Sequence, residues 1–258
     1  SKVRNEVYEL AKAHLEKFSD DTPLLLTLTA PNITGEFIGR EIDGHMKAFE
    51  RLIKRKVVKK MNRSWFKALE ITKNQERNDF HPHFHILLMV PPEYFHKNSP
   101  IYITHEKWLK LWQEAKRDSS ITQVDIRAIK EKGEGKLEAI IAEVAKYATK
   151  PSSYIVKDKN GKPIVDEKAL EDLHYGLRGR RTIGYGGYFK KVRKKIKLLK
   201  LEKAAAEAAE KLNEDGTKEE KPELCRECHQ PMVDENYSYL DKIERYFRNR
   251  QHEHGPSP

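Results

Sequence analysis

Cysteine is almost missing from this chain: Cys225 and Cys228 are the only two in 258 residues. Two thiols three apart cannot build the disulfide framework of a small secreted domain, and the count fits a reducing, cytoplasmic setting. Long apolar runs are missing too. No uninterrupted stretch approaches the roughly twenty residues a membrane helix needs, so no membrane partner and no signal peptide are expected. Acidic side chains are in deficit, 40 Asp and Glu against 50 Lys and Arg, for a formal net charge of +10. That surplus favours polyanionic partners, although ribosomal and membrane-surface proteins share it. No internal repeat is visible. A chain of this length holds one ordinary domain with an appendage, or two small ones.

What is present reads as alternating helices and strands. Lys2 to Phe18 has helical spacing, with Val3, Val7, Leu10, Ala11 and Leu15 on one side. Thr22 to Thr29, TPLLLTLT, reads as a buried central strand. Glu41 to Val58 reads as a helix running into a basic stretch. Ser64 to Thr72 and Pro82 to Val90 read as two strands of a hairpin joined by the polar segment Lys73 to Asp79. Glu106 to Ala115 reads as a helix with Trp108 and Trp112 on one face, more suited to a core than to base stacking. Thr122 to Ile129 alternates like a strand, and Leu137 to Lys150 reads as a helix that Pro151 stops. This order predicts an α+β layer with helices covering an antiparallel sheet. Beyond it lie a basic, glycine-rich stretch (Leu177 to Tyr188), a run with seven Lys or Arg and no acid (Phe189 to Lys200), strong helix formers and a polar linker.

The chemistry concentrates in His81-Pro82-His83-Phe84-His85. Residues two apart share one face of a strand, so His83 and His85 point one way, about 7 Å apart at the backbone, and Phe84 the other. Two such imidazoles can converge on one metal ion, zinc included, and the pair alone does not name the reaction. Antiparallel pairing places Glu70 opposite this region, an acid among apolar neighbours that needs a partner. Two His and one carboxylate suit Mn²⁺ or Mg²⁺ with positions open for phosphate oxygens. Glu76 and Asp79 compete with Glu70 but lie in the connecting loop. A second constellation is Glu143, Tyr147 and Lys150, spaced to share one helix face. A phenol attacks usefully when a cation stabilises its phenolate and a base takes its proton, which Lys150 and Glu143 can do. An exposed i,i+4 polar pair is the alternative.

The TLT strand, the Glu70 strand, the HPHFH strand and the helix carrying Tyr147-x-x-Lys150 together resemble the three ordered motifs of the HUH endonuclease superfamily. Leu24 to Lys150 is similar to the single-tyrosine replication initiators (Rep) of rolling-circle plasmids. The resemblance implies a central five-stranded antiparallel sheet flanked by helices, with a metal held by Glu70, His83 and His85. It implies that Tyr147 nicks single-stranded or hairpin origin DNA, leaving a free 3′-hydroxyl and a 5′-phosphotyrosine link, with water activated by Glu143 for the terminating cleavage. The partners expected are the plasmid origin and a host helicase and polymerase, with a homodimer as one option for the chain itself. The nicking domain is expected over 1–188, its end falling between 150 and 188, and a basic helical extension with a Cys/His tail over 189–258. Arg178, Arg180, Arg181, Lys190, Lys191, Arg193 and Lys194 are candidate phosphate contacts, a solvated basic face being the alternative. Cys225 and Cys228 make half of a structural Zn²⁺ site, a redox pair or free thiols being the alternative. Rival readings are a relaxase or transposase of the same superfamily, a non-catalytic basic DNA-binding protein with a structural zinc, and a zinc hydrolase.

Overall fold

The structure, a computed structural model, describes residues 2–96, 98–129, 135–148, 154–157, 161–215, 237–240 and 245–248. Two compact units divide the chain, Ser1–Lys200 and Leu201–Pro258. In the second, the described strands Tyr237–Leu240 and Arg245–Arg248 pair antiparallel.

The first unit is α+β. Helix α1 (Lys2–Lys17) leads into β1 (Thr22–Thr29), then α2 (Ile38–Ile53), α3 (Lys56–Met61) and the hairpin β2 (Ser64–Asn74) and β3 (Asp79–Val90). Next come α4 (His105–Lys116), β4 (Val124–Ala128) and α5 (Gly135–Ala148). A small hairpin, β5 (Ile155–Lys157) and β6 (Pro163–Val165), precedes α6 (Glu167–Leu177), β7 (Ile183–Gly187) and α7 (Tyr188–Asp215), of which the part up to Lys200 belongs to this unit. Five strands form one sheet in the order β4-β1-β3-β2-β7, every neighbour antiparallel.

Alternation along β3 gives the sheet two different faces. Phe80, Phe84, Ile86 and Leu88 enter a core with Leu24, Leu26 and Leu28 of β1, Ile42 and Phe49 of α2, and Trp108 and Trp112 of α4. Both tryptophans are fully buried, and the Trp112 Nε1–H donates to the Thr29 carbonyl at 2.6 Å. They are core residues, as their spacing predicts. On the other face Leu87 and Met89 join Leu25, Phe66 and Ala68 under Val7 and Leu10 of α1, Ile140, Ile141 and Val144 of α5, and Phe189 and Val192 of α7. The basic helix α7 thus begins with side chains in this second core.

Three departures from the sequence reading have local causes. The helix predicted over Glu41 to Val58 is two helices, interrupted at Lys54 and Arg55, where Arg55 takes ψ 134. The fifth strand, β7, lies in the glycine-rich stretch: a Cβ on Gly186 would fall 2.0 Å from the Trp65 ring, so the neighbouring tryptophan requires glycine there. Helix α6 follows Asp166, whose carboxylate accepts from the Ala169 N–H at 3.0 Å and is ion-paired to Lys73. Such a cap is worth about 1 kcal/mol.

Candidate active site

His81, His83 and His85 continue the face of β3 that Leu87 and Met89 share, but they are half-buried where those two are buried. Register sets their neighbours: Glu70 of β2 and Thr29 of β1 flank His83, Ala68 and Thr27 flank His85, and Thr72 lies opposite His81. Glu70 reaches diagonally, its Oε2 standing 2.5 Å from His85 Nε2, with side chains only 8% and 12% exposed. A neutral His85 that donates Nε2–H to Glu70 presents Nδ1 as acceptor to the Thr27 hydroxyl, 3.3 Å away. Thr72 Oγ1 lies 3.2 Å from His83 Nε2. The His81 and His83 rings are 4.2 Å apart between centroids, and burial pushes the His81 imidazole below its usual range.

Among the described residues no three His, Cys, Asp or Glu side chains gather closely enough to hold a metal ion. In donor chemistry, two imidazoles and a carboxylate on one face nevertheless suit a divalent cation. As placed, Glu70 and His85 form a contact pair, and His83 lies beside them with its Nε2 on Thr72.

Helix α5 packs on this same face through Ile140, Ile141 and Val144. Its Glu143 side chain is 19% exposed, and its Oε2 lies 3.3 Å from Nη2 of Arg127 on β4. Tyr147 falls in the last turn of α5, but its side chain lies outside the described residues. Lys150, Cys225 and Cys228 lie outside them entirely. Of the candidate phosphate contacts, Arg178, Arg181, Lys190, Lys191 and Lys194 are exposed. Arg180 is held by both oxygens of Asp43, at 2.8 and 2.7 Å, which keep its guanidinium protonated and draw the Asp43 carboxyl below its ordinary range. Arg193 pairs with Glu6 and stacks over Tyr185. The residues that sequence reasoning missed are Thr27, Thr72 and Arg127. The threonines were findable, since alternation from the histidines across the pairing reaches them; Arg127 carries no local signal.

The family model described as Replication protein matches residues 1–237. Among curated relatives, "Protein rep" of Streptococcus pneumoniae serotype 2 (strain D39 / NCTC 7466) is 37% identical over 179 residues, 69% of this chain and 53% of that one. "Protein rep" of Lentilactobacillus hilgardii is 38% identical over 178 residues, covering 68% and 55%. A "Replication protein" of Staphylococcus aureus is 31% identical over 199 residues, 75% of this chain and 83% of its own. The chain spans about half the length of the first two. No solved structure matches it. The chain belongs to the replication protein family, in agreement with the resemblance its motifs carry. Among the described residues no helix is long and apolar enough to cross a membrane.

Proposed function

We propose that this chain is the origin-nicking initiator of a rolling-circle plasmid, a nicking and joining endonuclease that works through Tyr147. The observation that supports it most is the Glu70–His85 contact, with His83 paired to Glu70 in register, on the sheet face that α5 covers. Glu70, His83 and His85 would hold Mn²⁺ or Mg²⁺; such an ion, when bound, offsets charge on a phosphate. The protein's own groups do the rest. The Tyr147 hydroxyl gives up its proton as its oxygen bonds to phosphorus, the bond from phosphorus to the 3′-oxygen breaks in line, and that oxygen takes up a proton to leave as the free hydroxyl a polymerase can extend. Lys150 lies one turn beyond Tyr147 in sequence, where its ammonium stabilises the developing phenolate. The new phosphotyrosine retains the phosphodiester's energy, so strand joining is open to it. The closing step uses water, with Glu143 as its base. Exposed Lys190, Lys191 and Lys194 on α7 hold the DNA backbone through its phosphates. Such a protein works in the cytoplasm, beside a host helicase.

The test is incubation with single-stranded oligonucleotides tiling the parent replicon, with and without Mn²⁺. The expected result is a protein–DNA band that survives denaturation, requires the metal and forms on one sequence only. Salt-sensitive binding with no such band on any oligonucleotide would leave a non-catalytic DNA-binding protein.

A further inference from the structure

We propose that Arg127 is a positioning residue for Glu143, holding its carboxylate for the closing hydrolysis. The inference rests on the nicking reading and adds a residue that none of the motifs contains. Arg127 belongs to β4, an edge strand of the five-stranded sheet. Its register partner is Leu25, whose side chain lies in the core under α5, so the guanidinium leaves the sheet on the side of the histidines. Two residues along the same face runs the cross-strand row Asp125, Thr27, His85. Arg127 therefore stands at the open edge of the histidine face, with the guanidinium 54% exposed and the carboxylate it meets 19% exposed. Its Nη2 is 3.3 Å from Glu143 Oε2, and its Nε is 4.0 Å from Asp125 Oδ2.

This contact joins the strand layer to the helix that carries the nucleophile. The backbone of α5 is fixed by its apolar residues, but a glutamate side chain keeps its own rotamer freedom unless something holds it. A general base works only within hydrogen-bond reach of the proton it takes. Arg127 supplies the hold from a separate element, so the orientation of Glu143 does not depend on helix packing alone. In the closing step the water oxygen bonds to phosphorus while its proton passes to Glu143. The bond between phosphorus and the tyrosyl oxygen breaks, and Glu143 returns the proton to the departing phenolate. The products are a DNA 5′-phosphate and free Tyr147. The first cleavage, in which tyrosine is the nucleophile, makes no such demand on an oriented water.

The experiment follows a labelled oligonucleotide through a single turnover, reading adduct formation and adduct hydrolysis separately. Arg127→Gln is expected to slow hydrolysis about tenfold, in the range seen when the partner that orients a working side chain is removed, while the adduct forms as in the wild type. Arg127→Lys should restore most of the lost rate, which also shows that position 127 tolerates substitution without misfolding. In a Glu143→Gln background, Arg127→Gln should have no further effect. Wild-type hydrolysis in Arg127→Gln, or an additive loss in the double variant, overturns the proposal. Equal loss of both steps with weakened DNA binding also overturns it and makes Arg127 a phosphate contact instead. A wild-type protein that forms no adduct at all removes the nicking reading, and this inference with it.

Discussion

Replacing Lys67 by methionine should stabilise the protein, even though it removes a positive charge from a chain of net charge +10. Lys67 lies on the apolar face of β2, opposite the histidines, and is 7% exposed. Its ammonium sits over the rings of Phe49 and Phe84, 4.8 and 4.4 Å from their centroids, and touches the Met46 sulfur. Burial pushes its pKa down from 10.5 to about 8, with the charge of Glu50 opposing the shift. A group whose folded pKa is depressed in this way is protonated in both states below pH 8, so its charge costs stability there. At about 1.4 kcal/mol per pH unit the cost is about 3 kcal/mol. The cation–π contacts that methionine gives up are each worth about 0.5–2 kcal/mol and offset part of this gain, whereas the thioether keeps the apolar contacts. Lys67→Met is therefore expected to gain about 2 kcal/mol at pH 7. The pH dependence identifies the cause. Between pH 8 and 10.5 the unfolded chain holds a proton that the folded one has lost, so wild-type stability rises with pH. The advantage of methionine must shrink across that window. Urea unfolding followed by circular dichroism at pH 7, 8.5 and 10 measures both. A variant that is less stable at pH 7, or an advantage that does not change with pH, refutes the argument.

Other perturbations separate stability from chemistry. Tyr147→Phe should bind DNA normally and form no covalent adduct; an adduct in that variant would move the nucleophile elsewhere, Tyr154 being the next tyrosine along. Glu70→Ala and His85→Ala should each abolish Mn²⁺-dependent cleavage while filter binding keeps its salt dependence, and Glu76→Ala, in the exposed β2–β3 turn, should cleave normally. Asp21→Ala should cost about 3 kcal/mol in thermal or urea unfolding. Its carboxylate, 1% exposed, holds fully buried His14 at 2.9 Å and Arg63 at 3.0 Å, and His14 in turn bonds Ser64. Loss of nicking without loss of stability in that variant would contradict a structural role. Replacing Lys190, Lys191 and Lys194 by alanine should flatten the dependence of log binding on log salt by up to about 0.9 per lysine; an unchanged slope would place the DNA elsewhere.

The legible part of this molecule is the part written in alternation. The β2–β3 hairpin could be read because His81, His83 and His85 alternate with Pro82 and Phe84 before the apolar run Ile86 to Val90, and a polar connection separates this strand from Ser64 to Thr72. Antiparallel pairing then puts Glu70 opposite the His83 to His85 region, and the register sets it against His83. Helix α4 could be read from its Trp108 and Trp112 spacing; the structure adds its Thr104 cap, whose hydroxyl accepts from the Lys107 N–H. Strand β7 could not, because Gly184 and Gly186 answer to side chains across the sheet, Lys67 and Trp65, rather than to any strand preference of their own. Arg127 was hidden for a related reason. Its partner is sixteen residues away, on a helix, and only the docking of α5 on the sheet brings them together. Likewise, nothing in the sequence of Lys67 distinguishes it from the exposed lysines around it.

The site's position follows from how one sheet face changes character along its length. In the rows of Leu25, Leu87 and Phe66 the face is apolar and is sealed by α1, α5 and α7. One row on come Thr27, His85 and Ala68, and then Thr29, His83 and Glu70. The apolar rows fix α5, whose Glu143 is directed at Arg127, beside the polar rows. A carboxylate and two imidazoles thus sit at the margin of a core instead of inside it. Glu70 and His85 are sheltered enough that water screens their interaction only weakly, while the histidine row as a whole stays half-buried instead of sealed. Moving this set two residues deeper along β3 would bury the charges under α5. Moving it two residues outward would carry His85 to the position of His83, a row farther from the apolar residues that anchor the helix. The alternation of β3 and the apolar anchor of α5 therefore place the site jointly, and neither does so alone.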